Sequence, residues 1–254
     1  GWNEAALDEA HRSVDLMPAD ASLRRSLGDC LRNEGDPSSI DHYTEAVRLD
    51  PKDAANHVGL GDALWNAGKI PDAEKAYLAA ASADPKSSLP HRKIARLSAV
   101  RERFKQSVEA MKKARELLTD DGGADYLDDY GAMLLAGEMA LSDVLNRMQA
   151  TRLKFTSGGV SREDAFKEVA IQKRRAQDQS DFFSDLPSPP GLAAVQALFA
   201  QSAGLAVQSG ESALGYLETQ SAAADTESAL LRTEAAKLLS EARAKLKSLT
   251  LRRS

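Results

Sequence analysis

The amino-acid sequence predicts an all-α protein, a solenoid of stacked helical hairpins over about residues 1–150 continued by longer helices. Three observations predict it. Small residues recur with a pitch near 34, as at Gly28 and Gly61, 33 apart. Prolines recur with the same pitch, Pro51 and Pro85 being 34 apart. Aromatic residues make up only 5% of the 254, while 43% of the chain is hydrophobic and alanine is abundant. The apolar material is therefore small and aliphatic, the kind that lets helices pack closely.

The fullest copy of the pattern reads Leu60-Gly61, Leu64-Trp65, Gly68, Ala73, Tyr77, Ala80 and Pro85. It resembles a tetratricopeptide repeat over residues 54–87. The copy before it carries Leu27-Gly28, Leu31, Gly35, Ala46 and Pro51, with a turn one residue shorter around Asp36-Pro37. The copy after it reads Ile94-Ala95, Ser98, Ser107, Met111 and Ala114, with no glycine in its turn at residues 101–103. A fourth, weaker copy begins at Tyr130-Gly131, Leu134 and Gly137. Upstream, Ala6, Ala10, Ser13 and Pro18 resemble the second helix of a repeat, which makes three to four repeats plus a half. Each position has a physical reason. Gly28, Gly61 and Ala73 let paired helices approach, Tyr77 fills the gap between repeats, and Pro51 and Pro85 stop second helices because proline biases the residue before it away from α.

Past residue 145 the pitch disappears. Thr156-Ser157-Gly158-Gly159 reads as a loop, and Ser161 with Asp164 as a helix-capping pair. A basic amphipathic helix should follow to about Phe183. Leu186-Pro187-Ser188-Pro189-Pro190 breaks it. Two long helical patterns then cover residues 191–219 and 226–249, an antiparallel hairpin joined by a turn containing Asp225. Its second helix places Leu231, Ala235, Leu238, Ala242 and Leu249 on one seam. The expected organisation is a repeat solenoid over 1–150, a linker loop and amphipathic helix over 151–186, and the hairpin over 187–254. The hairpin caps the last repeat or pairs with a second copy.

Several function classes are disfavoured by what the sequence lacks. The net charge of −5 gives no general attraction to nucleic acid or anionic lipid. Cys30 is the only cysteine, so neither an internal disulfide nor a thiolate zinc site is expected, and the cytoplasm suits it. The uncharged stretch 187–210 carries three glutamines, three serines and three prolines, so no membrane span is expected. Gly1-Trp2 opens directly into helical pattern, as a trimmed N-terminus would. No nucleophile elbow, phosphate loop or metal-binding helix motif occurs, and the four histidines are scattered. Asp53 and His57 sit four apart at a helix start, where capping by Asp53 is simpler than a metal site. No catalysis, cofactor or metal is expected.

The family resemblance implies protein–protein interaction, with the first helix of each repeat lining a concave groove. The register nominates Arg25, Asp29 and Arg32 from one repeat, Asp62, Trp65 and Asn66 from the next, and Arg92, Lys93 and Arg96 from the third. Arg92 and Arg96 share a face at a spacing of four, which an acidic peptide or helix would suit. The plainer alternative is a solvated face with Arg25 and Asp29 paired. Chaperone-binding members of the family hold a C-terminal carboxylate with a Lys/Asn/Asn/Lys/Arg clamp. Arg25, Asp29, Gly59, Leu89 and Lys93 stand in those places, and the aspartate and two non-polar residues break it. The basic run from Arg92 to Lys105 is followed by Asp120, Asp121, Asp125, Asp128 and Asp129, a segregation of charge along the chain. The competing reading is homo-oligomeric assembly through the C-terminal hairpin.

Overall fold

A computed structural model describes residues 2–118 and 123–251. Gly1, Asp120 and Asp121 lie outside them. The described residues form eleven helices: α1 (Trp2–Leu16), α2 (Ala21–Asn33), α3 (Ser39–Leu49), α4 (Ala54–Asn66), α5 (Ile70–Ala83), α6 (Ser88–Val100), α7 (Phe104–Glu116), α8 (Gly123–Thr156), α9 (Arg162–Asp185), α10 (Ala193–Thr219) and α11 (Ala222–Leu251). The protein is all-α and divides into two compact units, Gly1–Leu97 with Lys113–Leu118, and Ser98–Lys112 with Thr119–Ser254.

In the first unit α1 packs on α2, α2 on α3, α3 on α4 and α4 on α5, and α2 also touches α4. Such nearest-neighbour packing is that of a helical solenoid. The period sets its punctuation. Asp20 caps α2, accepting from the amides of Ser22 and Leu23 at 2.8 and 3.1 Å, and Asp53, one repeat further on, caps α4 through the Ala55 amide at 2.9 Å. The residues before Pro51 and Pro85 adopt matching extended conformations, Asp50 at φ −134°, ψ 89° and Asp84 at φ −130°, ψ 90°. At the turns, the Asp36 amide donates to the Leu31 carbonyl at 2.8 Å and the Lys69 amide to Leu64 at 2.9 Å. Both bonds close over a left-handed glycine, Gly35 at φ 76° and Gly68 at φ 72°. Tyr43 comes eight residues after Gly35 and Tyr77 nine after Gly68, so the shorter turn lies around Asp36-Pro37, where the pitch placed it.

The interior of this unit is organised by two tyrosines with no exposed surface, Tyr43 and Tyr77. A Cβ added to Gly59 would stand 2.3 Å from the Tyr43 ring, one on Gly28 3.1 Å from the same ring, and one on Gly61 2.4 Å from the Tyr77 ring. The glycines are thus the seats of the rings. Against α2, Val14 joins Leu27 and Leu31, with Leu7, Ala10 and Leu23 around them. That is the expected half repeat.

The second unit is built of longer helices. α8 packs on α9, α10 and α11, α9 on α10, and α10 on α11. The fourth copy required a turn after Gly137, but α8, 34 residues long, continues unbroken to Thr156. The segment after Gly137, Glu-Met-Ala-Leu, contains good helix formers and no breaker, so nothing ends the helix there. Gly137 instead faces Phe182 and Phe183 of α9, whose ring atoms would lie 2.7–2.8 Å from a Cβ at this position. The rings of Phe104, Phe182, Phe183 and Phe199 form a chain with successive centroids 4.8, 5.3 and 5.2 Å apart.

Ser161 caps α9 as expected, its hydroxyl accepting from the Asp164 amide at 3.0 Å. The Asp164 side chain is too short to reach back to the backbone and accepts from the same hydroxyl at 2.7 Å. Beyond α9 the proline segment is held by Gln196, which donates to the carbonyls of Phe183 and Leu186 at 2.6 and 2.8 Å and accepts from the Tyr130 hydroxyl at 2.7 Å.

The antiparallel hairpin of α10 and α11 is present, with two corrections. Its turn lies at Gln220, left-handed at φ 56°, and Asp225 is already inside α11. Its seam is Ser228, Arg232, Ala235, Leu239, Ala242 and Leu246, whereas Leu231, Leu238 and Leu249 are only half-buried. Hydrogen bonds decide the rotation. Ser202 donates to the Ala235 carbonyl at 2.7 Å, while Ser209 and Ser228 donate to each other's carbonyls at 2.8 and 2.9 Å. Both inward faces of the hairpin are thereby matched within this unit.

Candidate partner-binding surface

Three consecutive first helices, α2, α4 and α6, carry all nine nominated residues. Neighbouring first helices are joined by side-chain pairs, three of which share one spacing. Arg25 of α2 ion-pairs with Asp53 at the start of α4 and donates to the Asn56 side-chain oxygen at 3.1 Å. Lys93 of α6 reaches Asp62 of α4 at 3.1 Å. The guanidinium of Arg96 lies over the Trp65 ring, 5.4 Å from its centroid. Arg25 with Asn56 and Asp62 with Lys93 share a sequence separation of 31, and Trp65 with Arg96 repeats it, so one interhelical row runs along the unit.

Behind this row stand the two tyrosines. Tyr43 donates to Asp29 at 2.6 Å and accepts from Arg32 at 3.1 Å, and Arg32 also donates to Asp29 at 3.3 Å. Tyr77 donates to Asp62 at 2.7 Å. Burial pushes the Tyr77 hydroxyl well above the ordinary tyrosine range, and the Asp62 carboxylate adds to the rise. Burial does the same at Tyr43, with Asp29 contributing. Both phenols therefore stay protonated, fixed as donors to carboxylates on the adjacent first helix. Arg32 is held above the ordinary arginine range: burial, the largest single effect, opposes this, and Tyr43, Asp62 and Asp29 together outweigh it. Trp65, half-buried, meets Tyr77 edge to face at 6.4 Å.

Arg25 is partnered by Asp53, and Asp29 by Tyr43 and Arg32, in place of a pairing between Arg25 and Asp29. Arg92 and Arg96 differ in burial, Arg92 being 7% exposed while Arg96 is exposed over the tryptophan. Asn66 is exposed. Trp65, Asp62, Lys93 and Arg96 come together, and Arg25 stands with Asp53 and Asn56. The last two were not among the nominated residues.

Asn56 is fully buried and donates to the Ala46 and Asp50 carbonyls at 3.2 and 3.1 Å, joining the end of α3 to α4. Its signal in the sequence is faint, because the equivalent position one repeat on is Pro90. Tyr43 was legible, lying one repeat before Tyr77. His57, four residues after Asp53, turns its Nε2 to the Pro51 carbonyl at 2.8 Å. Among the described residues no three of His, Cys, Asp and Glu gather where they could hold a metal ion.

Residues 38–97 match a family model described as tetratricopeptide repeat, and the chain carries tetratricopeptide repeats. Repeats of this class generally mediate protein–protein interaction. No curated protein matches the chain. Among the described residues no helix is long and apolar enough to cross a membrane.

Proposed function

We propose that the first unit is a non-catalytic recognition module that takes a peptide or helix of another protein along the row formed by α2, α4 and α6. The observation that carries this reading is the Trp65–Arg96 pair. A half-buried tryptophan under an exposed guanidinium offers a flat apolar surface and a planar donor side by side, and such residues make anchors at interfaces. The carboxylates beside them, Asp29 and Asp62, already accept from tyrosine and from Arg32 or Lys93. An incoming segment with acidic side chains would compete with Asp29 and Asp62 for Arg32 and Lys93.

The test is affinity capture from lysate followed by titration of peptides from the recovered protein. Binding is read by Trp65 fluorescence in a Trp2→Phe background. Trp65→Ala combined with Arg96→Ala is expected to abolish capture while leaving the helical circular dichroism intact. Arg92 is left alone, since its burial would confound loss of binding with loss of fold. Equal capture by the double variant and the parent would exclude the row as the binding surface.

A further inference from the structure

Arg232 of α11 lies inside the second unit, 9% exposed. No hydrogen bond or ion pair among the described residues holds its guanidinium. The carboxylate nearest in kind, Asp225, is taken by Arg152, whose Nε and Nη2 donate to its two oxygens at 2.5 and 2.7 Å. Two guanidinium groups thus share one carboxylate, so the mostly buried Arg232 has no anionic hydrogen-bond partner of its own. Burial, helped by Arg152, lowers the affinity of Arg232 for its proton.

A small chamber of about 20 Å³ opens against this arginine, lined by Thr151, Arg152, Asp225, Ser228 and Arg232 among apolar side chains. Ser228 is committed to the Ser209 carbonyl at 2.9 Å. Thr151 is not committed. The hydroxyls of Thr156, Thr219, Thr226 and Thr233 each donate to the carbonyl four residues back, at 3.1, 2.7, 2.9 and 2.8 Å. Thr151, 9% exposed and equally helical, makes no such bond. The side chains of two residues each only 9% exposed, a guanidinium and a hydroxyl, both without a protein hydrogen-bond partner, therefore line one chamber. A helical threonine that forgoes its backbone carbonyl keeps a donor available for something else.

We propose that this chamber is a binding site for one small inorganic anion of halide size, chloride being the abundant example. Its volume has room for one or two water-sized particles, so a monatomic anion fits and a tetrahedral oxyanion of five heavy atoms is too large. The bound anion balances Arg232, and the hydroxyl of Thr151 completes its shell. Occupancy ties α8, which carries Thr151 and Arg152, to α11, which carries Asp225 and Arg232.

The experiment is thermal unfolding of the full chain in sodium chloride against sodium gluconate at equal ionic strength, with sodium bromide as a third arm. Chloride and bromide are expected to raise the midpoint saturably over gluconate. Arg232→Met is expected to erase the increment, and Thr151→Val to weaken the halide at least several-fold. Bromide in a crystal supplies an independent reading, with an anomalous peak expected within hydrogen-bonding distance of the Arg232 guanidinium. Should Arg232→Met fail to fold, that peak and the Thr151→Val titration decide the matter. Equal midpoints in all three salts mean that water fills the chamber, and the proposal fails. An increment that survives in Arg232→Met, or a bromide peak with no effect on stability, marks an adventitious ion only and overturns it as well.

Discussion

The two units solve the same packing problem with different rings. In the first, Gly28, Gly59 and Gly61 seat tyrosines whose hydroxyls emerge at Asp29 and Asp62, beside Arg32 and Lys93. In the second, Gly137 seats Phe182 and Phe183, and the polar work passes to Gln196 and to paired serines between α10 and α11. A tyrosine at a helix crossing makes packing and surface chemistry one feature. A phenylalanine there brings no polar group of its own to the helix surface. The repeats thereby build a charged, ordered face as a by-product of their core, while the long helices bury nearly all of their specificity.

The sharpest way to break this comparison is at Gln196. Gln196→Ala would orphan the Tyr130 hydroxyl and the Phe183 and Leu186 carbonyls, at a cost of about 3–4 kcal/mol, read by urea unfolding under circular dichroism. Next comes Gly59→Ala, whose Cβ would meet the Tyr43 ring at 2.3 Å, against 3.1 Å for Gly28→Ala. About 2–3 kcal/mol is expected for the first and about 1 for the second, measured by Trp65 emission in a Trp2→Phe background. In a Tyr43→Leu background the penalty at Gly59 should shrink, which a double-mutant cycle detects.

Smaller effects sharpen the picture. Tyr77→Phe removes the donor to Asp62 without disturbing the ring and should cost about 1 kcal/mol in the same titration. The third turn is the repeat device transplanted into the second unit. The Arg103 amide donates to the Ser98 carbonyl at 2.8 Å, as at the two glycine turns, but Glu102 takes the left-handed position at φ 55°. Glu102→Gly relieves about 1 kcal/mol of backbone strain and loses the exposed pair with Arg175, 2.9 Å away. The net should be a gain below about 1 kcal/mol.

The smallest effect is that of pH. The hydrogen bonds from Arg152 hold Asp225 below the ordinary carboxylate range. Its contribution is full above the unfolded-state value and disappears as pH falls through the lower folded-state value. Acid titration of stability below about pH 4 should therefore be steeper in the parent than in Asp225→Asn.

The sequence disclosed some of these features better than others. The Gly-Asp pairs, the Asp caps and the prolines stand at fixed intervals, so the solenoid and the first-helix row were legible. Asp53 and Asn56 were missed as partners of Arg25 because one was read only as a cap and the other has no counterpart one repeat on. The fourth copy misled because Tyr130-Gly131 and Gly137 imitate the spacing, though no breaker follows them to make a turn. In α11, leucines at 231, 238, 239, 246 and 249 satisfy two seams almost equally. Periodicity alone had no means of choosing between them.

By itself, then, the amino-acid sequence determined the helical class, the repeat pitch, the stops and caps, and the hairpin near the C-terminus. These are local properties, set by propensity, proline geometry and side-chain oxygens that reach only a few residues along the chain. Tertiary structure alone decided which leucines of α11 face inward, that α8 runs unbroken, and that Arg25 pairs with Asp53 while Arg232 is left without a partner. Those outcomes depend on hydrogen bonds and contacts between residues far apart in the chain, and a side chain's partner across a helix interface is chosen only when the interface forms.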